Sequence, residues 1–149
     1  MAELVVTDVR VRYGDVLAVD GVSFHLASGT TLALLGPSGC GKSTLLGSIA
    51  GFVGIDSGTI RLGGRDVTAL PPRKRGLSMV FQTHALFPHL TVLDNVLFGL
   101  RARRRRGRLT DADRRAAQDA LALVRLAEYR DRYPEELSGG QRQRVALAR

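Results

Sequence analysis

The chain has 149 residues, of which 44% are hydrophobic and 24% are charged, and it contains one cysteine. This composition is typical of a globular protein with a sizeable core, and it excludes collagen-like, disordered and disulfide-stabilised chains. No apolar run approaches the roughly 18 residues that a membrane span needs. The acidic residues near the start argue against a secretory signal. A single cysteine favours a reducing, cytoplasmic setting.

The net charge of +8 is unevenly distributed. Residues 1–100 carry 8 basic and 7 acidic side chains, whereas residues 101–149 carry 14 and 7. Most of the excess is the arginine run from Arg101 to Arg108. No aromatic residues lie within this run for stacking on bases, so we interpret it as a solvated connector and do not expect nucleic-acid binding. Proximity to anionic lipid headgroups is a possible secondary role for it.

The first half of the chain is predicted to be rich in strands. Val9, Val11 and Tyr13 share one face of the first strand, and Gly14-Asp15 and Ser28-Gly29 are turn signals. Two glycines, at 63 and 64, indicate a hairpin. A continuous apolar run at 30–35 predicts a central strand that is buried on both faces. The predicted strands cover residues 4–13, 22–26, 30–35, 59–62, 65–67 and 77–81.

Helical spacing replaces this pattern at residues 42–50, which Gly51 ends, and again from Thr91 onwards. Thr91-x-x-Asp94 and Thr110-x-x-Asp113 are capping signatures for two helices of an insert over residues 91–136. The apolar side of the second consists of Ala116, Ala117, Ala120, Leu121 and Val124. Residues 141–149 have helical propensity throughout.

Residues 36–43, Gly-Pro-Ser-Gly-Cys-Gly-Lys-Ser, match the phosphate-binding loop motif G-x-x-x-x-G-K-[ST] at every fixed position. Glycines let the backbone wrap a phosphate group, and the following helix adds its positive end. Lys42 can reach the β- and γ-phosphates, and Ser43 can offer its hydroxyl to Mg²⁺. The simpler alternative is a glycine-rich turn. Cys40 has no base partner, so we interpret it as a small loop residue.

A second helix start with exposed backbone N–H groups is predicted at Leu137-Ser138-Gly139-Gly140-Gln141, where Ser138 can cap the helix. A phosphate loop already encloses phosphates on its own side. The second site could therefore complete the pocket of a partner subunit.

Three segments together resemble one family. GPSGCGKST at 36–44, VFQ at 80–82 and LSGGQRQRVALAR at 137–149, in this order, are similar to ATP-binding cassette (ABC) ATPases. Residues 70–100 are similar to the ATPase subunits of spermidine/putrescine, ferric iron, sulfate, thiamine and sugar importers. The resemblance implies an α/β P-loop NTPase core with an N-terminal antiparallel β subdomain and a helical insert. The expected domains are residues 1–90, 91–136 and 137–149, the last holding the signature motif.

The resemblance also implies the site residues. Tyr13 matches the aromatic residue that stacks on adenine, although it could instead be a core tyrosine, and Gln82 matches the glutamine near Mg²⁺ and the attacking water. Lys42 and Gln82 are the expected catalytic residues, and Ser43 and Gln82 the expected Mg²⁺ ligands. The residues expected to contact ATP are Tyr13, Gly36, Pro37, Ser38, Gly39, Cys40, Gly41, Lys42, Ser43 and Thr44, joined in trans by Ser138, Gly139, Gly140 and Gln141.

The partners implied are a second ATP-binding subunit in a head-to-tail dimer, a membrane permease and, indirectly, a solute-binding protein. The permease contact is expected near Ala85, Leu86 and Phe87, which would otherwise pack under the helical insert. His84 and His89 lack metal-ligand spacing and are read as polar loop residues. The expected location is peripheral, on the inner face of the cell membrane.

No apolar strand ending in Asp-Glu and no switch histidine follow the signature segment, so no general base is expected. We therefore expect a truncated cassette with weak or no ATP hydrolysis and a tendency to aggregate. The alternatives are a non-catalytic nucleotide-binding fragment and a soluble ABC ATPase that acts on nucleic acid or ribosomes. The transported solute does not follow from the sequence.

Overall fold

The computed structural model describes residues 2–81, 86–103 and 109–149. The chain divides into two compact units, residues 1–79 and 80–149. The elements in chain order are β1 (Leu4–Tyr13), β2 (Val16–Leu26), α1 (Lys42–Ala50), β3 (Ser57–Leu62), β4 (Arg65–Asp66), α2 (Pro72–Arg75), α3 (Val92–Arg103), α4 (Asp111–Leu123) and α5 (Gly139–Ala148), with 3-10 turns at Ala127–Tyr129 and Pro134–Glu136. The three-domain assignment over 1–90, 91–136 and 137–149 stays a prediction.

The first unit is built on an antiparallel sheet in the order β2-β1-β3-β4. The predicted strand over 4–13 is confirmed, and β2 begins at Val16, earlier than predicted, because the Gly14-Asp15 turn pairs Tyr13 directly with Val16. The core side of β1 carries Val6 and Val9, which are three residues apart. Side chains of a regular strand alternate, so both face the core only because the register shifts between them.

The β3–β4 hairpin is also confirmed. Gly63 and Gly64 have φ values of 56° and 75°, the left-handed conformation that a two-residue hairpin turn of type I′ requires at both positions. Helix α1 then packs Leu45 and Ile49 into the core that the strands provide. Its predicted bounds are confirmed, as is Gly51 as its C-terminal stop, with φ 86°.

The strands predicted at 30–35 and 77–81 do not form in the part of the chain that the structure describes. Both segments lack strand pairing there, and Leu35 is 90% exposed. A strand buried on both faces needs neighbours that satisfy its backbone N–H and C=O groups and cover its side chains. The described residues supply no such neighbours for either segment. The prediction of a buried central strand at 30–35 is therefore wrong for this structure.

The second unit is a cluster of α3, α4 and α5. Both predicted helices of the insert form, and the Thr110–Asp113 capping box closes the start of α4. The Thr91 hydroxyl accepts a hydrogen bond from the Asp94 backbone N–H at 3.1 Å. The buried side chains of this core are Val92, Val96, Leu97, Ala117, Leu121, Leu126, Leu137 and Val145. Ala120 and Val124 pack against it as predicted, whereas Ala116 is exposed.

One buried polar side chain organises the start of this unit. Asn95 has no exposed surface, and its Oδ1 accepts a hydrogen bond from the Phe87 N–H at 2.8 Å. Its Nδ2 donates to the carbonyl oxygens of Phe87, Leu90 and Thr91 at 3.0–3.1 Å. The irregular segment over 87–91 is therefore held by the side chain of a helix residue, because its own backbone makes no ladder.

We expect Asn95→Asp to lower the free energy of unfolding of the helical unit by about 2–4 kcal/mol, because an oxygen then faces carbonyl oxygens where a donor stood. The measurement is urea unfolding followed by far-ultraviolet circular dichroism. The control is Gln118→Glu, the same chemical change at an exposed position of α4, which should shift the free energy by less than about 0.5 kcal/mol. Equal losses in the two variants would contradict the role assigned to Asn95.

Candidate nucleotide-binding site

The loop before α1 has a backbone that only glycine adopts readily. Gly36, Gly39 and Gly41 have φ values of 155°, 83° and 86°. Gly41 has a second requirement, because a Cβ at this position would lie 2.1 Å from the backbone oxygen of Ala18 in β2. The chain therefore passes directly against the sheet at the point where α1 begins. This close approach fixes where the loop stands.

The first turn of α1 presents its backbone N–H groups without a side-chain cap. Gly41 is the N-cap residue, and no acidic residue lies in the first turn. Uncapped N–H groups and the positive end of the helix dipole both favour a bound anion. Ser43, the second residue of the helix, is exposed. Its hydroxyl is thus accessible beside the helix start, as the sequence motif requires.

The Lys42 ammonium group is bonded to the loop itself. It donates to the carbonyl oxygens of Gly36 and Pro37 at 2.8 and 2.5 Å, and it lies 3.3 Å from Cys40 Sγ. The side chain thus curls over the loop and links its first two residues to the helix start. The oxygens of an incoming phosphate would replace these carbonyl oxygens as acceptors. Binding would thus exchange one set of hydrogen bonds from the Lys42 ammonium group for another.

A cavity of about 250 Å³ lies beside the loop within the first unit. Its walls are formed by side chains of β2, of the segment before the loop and of the start of α1, namely Ala18, Val19, Asp20, Val22, Leu34, Leu35, Cys40, Gly41, Lys42 and Leu45. The wall is mainly apolar. Its charged side chains are Lys42 and Asp20, and the Asp20 carboxylate is paired with Arg10 at 3.1 Å. Such a surface suits a ligand that has both an apolar face and an anionic group.

Tyr13 ends β1 with 53% of its surface exposed. The alternative reading of Tyr13 as a core residue is therefore wrong, and its ring is accessible to a ligand. Asp56 holds the end of β1 that carries Tyr13, because its carboxylate accepts a hydrogen bond from the Arg12 N–H at 2.6 Å. Stacking of the ring on adenine stays a prediction.

Several predicted residues fall outside the described part of the chain. Gln82, His84 and Ala85 belong to the segment 82–85, of which the structure gives no description. Leu86 packs against the core of the helical unit, and the Phe87 ring lies 4.4 Å from the Phe98 ring, centroid to centroid. These two side chains are partly buried, as the alternative reading of internal packing anticipated. Permease contact there stays a prediction.

The signature segment in the second unit opens α5. Ser138 is the N-cap, and the reciprocal bonds of a capping box join it to Gln141, with the Ser138 N–H donating to Gln141 Oε1 at 2.8 Å. Gly139 and Gly140 are exposed, so the first turn of α5 is accessible from outside. The structural role of Gln141 was not predicted, although the S-x-x-Q spacing is a capping-box signal.

Comparison with known proteins decides the family. A sequence profile described as ABC transporter matches residues 19–149. The chain belongs to the ABC transporter family. It is 54% identical over 147 residues to the sulfate/thiosulfate import ATP-binding protein CysA of Mycobacterium tuberculosis, and 50% identical over 149 residues to the spermidine/putrescine import ATP-binding protein PotA of Nitrosomonas europaea. These alignments cover 98% and 100% of this chain, and 41% and 40% of the relatives.

Solved ABC cassettes share the fold. The ADP conformation of the cassette MJ1267 superimposes with a TM-score of 0.87 at 30% identity, over 100% of this chain and 64% of that one. A dimeric structure of the cassette MJ0796 gives a TM-score of 0.82 at 29% identity, over 97% and 67% of the two chains. The predicted α/β ABC ATPase fold is thereby confirmed. The chain spans about two fifths of the length of the curated relatives it matches.

Among the described residues of this ABC family member, no group of three or more His, Cys, Asp or Glu side chains could hold a metal ion. The predicted Mg²⁺ ligands, Ser43 and Gln82, are of other types.

The contact between Gly41 and Ala18 can be tested with a matched pair of variants. Gly39 and Gly41 have similar φ values, but a Cβ on Gly39 meets nothing within 4 Å. Gly39→Ala should lower the free energy of unfolding by about 1 kcal/mol through left-handed strain, whereas Gly41→Ala should lower it by about 3 kcal/mol or more through strain and the clash with Ala18. Urea unfolding measures both, and equal losses would contradict the close approach.

Proposed function

We propose that the chain is the nucleotide-binding part of a subunit that energises an ABC importer by binding and hydrolysing ATP. The observation that carries this proposal is the loop of residues 36–41, held against β2 at Gly41, followed by the uncapped start of α1 with Lys42 beside it. The relatives named as import ATP-binding proteins support the direction of transport. They also disfavour the reading as a soluble ABC ATPase that acts on nucleic acid.

The residues of the loop fit ATP with Mg²⁺. The backbone N–H groups of residues 36 and 38–44 would surround the phosphates, since Pro37 has no N–H to donate. Lys42 would contact the outer phosphate oxygens, and Ser43 would supply a hydroxyl ligand to the ion. Gln82 is proposed as the second Mg²⁺ ligand and the residue that orients the attacking water. Bound Mg²⁺ neutralises charge on the phosphate oxygens. Tyr13 is proposed to stack on the adenine ring.

The Lys42 role is tested by a comparison of the two lysines of the chain. Lys74 is exposed on α2 and forms no part of the loop. We expect the wild-type chain to bind Mg-ATP in isothermal titration calorimetry. Lys42→Ala should weaken binding about 10- to 100-fold, the effect of losing charge-assisted hydrogen bonds, and Lys74→Ala should leave the dissociation constant within about twofold.

Absence of Mg-ATP binding by the wild-type chain would overturn the proposed function. Equal binding by the wild type and Lys42→Ala would overturn the role of the lysine alone. Both variants are first checked for wild-type circular dichroism, so that loss of structure is not counted as loss of binding.

We further propose that two such subunits close head to tail on ATP. In this arrangement Ser138, Gly139, Gly140 and Gln141 of one subunit contact the phosphates bound by the other. The exposure of Ser138, Gly139 and Gly140 at the first turn of α5 supports this proposal. Permease subunits would lie against residues 85–87, which places the chain on the inner face of the membrane, and a solute-binding protein would act through the permease.

The head-to-tail proposal predicts an ATP-dependent change of mass. Mg-ATP should shift the wild-type chain towards a dimer in sedimentation velocity, and Gly140→Asp should prevent the shift by placing a carboxylate where the partner's phosphates would lie. A Cβ at Gly140 meets nothing within 4 Å, so the substitution fits the fold. The control, Gly54→Asp, adds the same charge at an equally open glycine that, like Gly140, has no positive φ, and it should dimerise as the wild type does.

A further inference from the structure

The C-terminal end of α1 is held by a buried arginine. Arg75 is only 7% exposed, and its Nη1 donates to the carbonyl oxygens of Ser48 and Ile49, at 2.6 and 2.9 Å. Its Nε donates to the Leu70 carbonyl oxygen at 2.7 Å and its Nη2 to the Thr68 carbonyl oxygen at 2.8 Å. One side chain thus joins the last turn of α1 to the segment that follows β4.

The charge of Arg75 is balanced by backbone dipoles. No carboxylate pairs with it among the described residues, and burial lowers the pKa of its guanidinium group. The carbonyl groups at the end of α1 carry the negative end of the helix dipole. Of the two that Arg75 reaches, that of Ser48 also accepts a hydrogen bond from the Gly51 N–H at 3.2 Å. A cation at this point satisfies two of them at once. Lysine could supply the charge but not the planar fork that reaches both sides of the contact.

The space around the guanidinium group is fitted to it. Gly51, the C-cap of α1, has φ 86°, and a Cβ there would lie 2.5 Å from Arg75 Nε. The same glycine therefore both ends the helix and leaves room for the arginine. A groove of about 370 Å³ borders Gly51, Leu70 and Arg75, so small ions from solvent can reach this position.

Helix α1 is consequently fixed at both ends. At its start, Gly41 lies against Ala18, and at its end Arg75 holds the carbonyl groups of Ser48 and Ile49. Nine residues of helix span only roughly 13 Å, and a helix of this length moves as a rigid rod. Release of the end that Arg75 holds would leave the Gly41 contact and the packing of Leu45 and Ile49 to set the direction of the helix, and with it that of Lys42.

We propose that Arg75 is a positioning residue for the phosphate-binding loop: by holding the last turn of α1 to residues 68–70, it keeps the first turn of the helix and Lys42 aligned with residues 36–41. This inference deepens the proposed ATP-binding function and rests on it. Arg75 touches no residue of the loop and acts only through α1.

The test compares Arg75→Ala with Val9→Ala, a core variant of β1 that leaves the Arg75 hydrogen bonds in place. Both are studied well below their unfolding temperatures. Arg75→Ala should weaken Mg-ATP binding at least fivefold, Arg75→Lys should lie between it and the wild type, and Val9→Ala should stay within twofold of the wild type. Guanidinium chloride at low millimolar concentration should restore part of the affinity of Arg75→Ala and of no other variant, because the ion can enter through the groove.

A second readout needs no nucleotide. The Leu45 N–H donates to the Gly41 carbonyl oxygen at 2.8 Å and reports on the first turn of α1. Its hydrogen exchange should be faster in Arg75→Ala than in Val9→Ala, and guanidinium should slow it again. Failure of the wild type to bind Mg-ATP would count against the proposed function, whereas equal exchange at Leu45 in the two variants would overturn the role of Arg75.

Two further outcomes decide the inference. Equal Mg-ATP affinity of Arg75→Ala and Val9→Ala would overturn it, as would a guanidinium effect that raises the unfolding temperature without changing affinity or exchange. Should Arg75→Ala fail to fold, Arg75→Lys takes its place in the comparison with Val9→Ala. Weaker Mg-ATP binding and faster Leu45 exchange in Arg75→Lys than in Val9→Ala support the inference. Wild-type values of both quantities in Arg75→Lys overturn it.

Discussion

The geometry of the phosphate loop depends on a single close approach between backbone atoms. Any side chain at Gly41 would collide with the Ala18 carbonyl oxygen. This contact fixes the position of the loop and of the start of α1 relative to strand β2. The stem of Lys42 begins at the next residue, which places its ammonium group within reach of the Gly36 and Pro37 carbonyls. That contact, together with the packing of Leu45 and Ile49 into the core, sets the position of the helix start and of the lysine that follows it.

The bonds of Lys42 also explain how the loop keeps its shape. Three loop groups, the carbonyls of Gly36 and Pro37 and the thiol of Cys40, converge on one cation. Glycine-rich segments lose much conformational entropy when they become ordered. The hydrogen bonds from Lys42 to the loop offset part of that entropy loss before any ligand arrives.

Local patterns were sufficient to predict much of the fold. The β1 strand, the Gly63-Gly64 hairpin, α1 and the capped helices of the insert all depend on residues close in sequence, and all form as predicted. The segments at 30–35 and 77–81 do not form strands, because a strand that is buried on both faces depends on neighbours that its own sequence does not specify. The phosphate loop was predictable for the same reason as the hairpin, because both depend on residues that are close in sequence.

The residues that the sequence did not reveal are the buried polar ones. Arg75 ends a basic stretch, and Asn95 follows Asp94 in an otherwise apolar segment. The sequence around each predicts neither the burial of its side chain nor the bonds that it makes. In the structure each directs three or more hydrogen bonds at backbone carbonyl groups. Those carbonyls belong to a helix end and to irregular segments, where backbone groups lack regular partners.

The difference between these two residues follows from what each must satisfy. Around Asn95 the segment over 87–91 presents one N–H group as well as carbonyls, and a neutral amide supplies both an acceptor and donors. Around Arg75 every partner is a carbonyl oxygen, and two of them carry the negative end of α1. A group with donors only and a positive charge suits that set, and the planar fork reaches partners on both sides. The choice of arginine at 75 is therefore fixed by the end of α1, and through that helix it bears on the loop at its start.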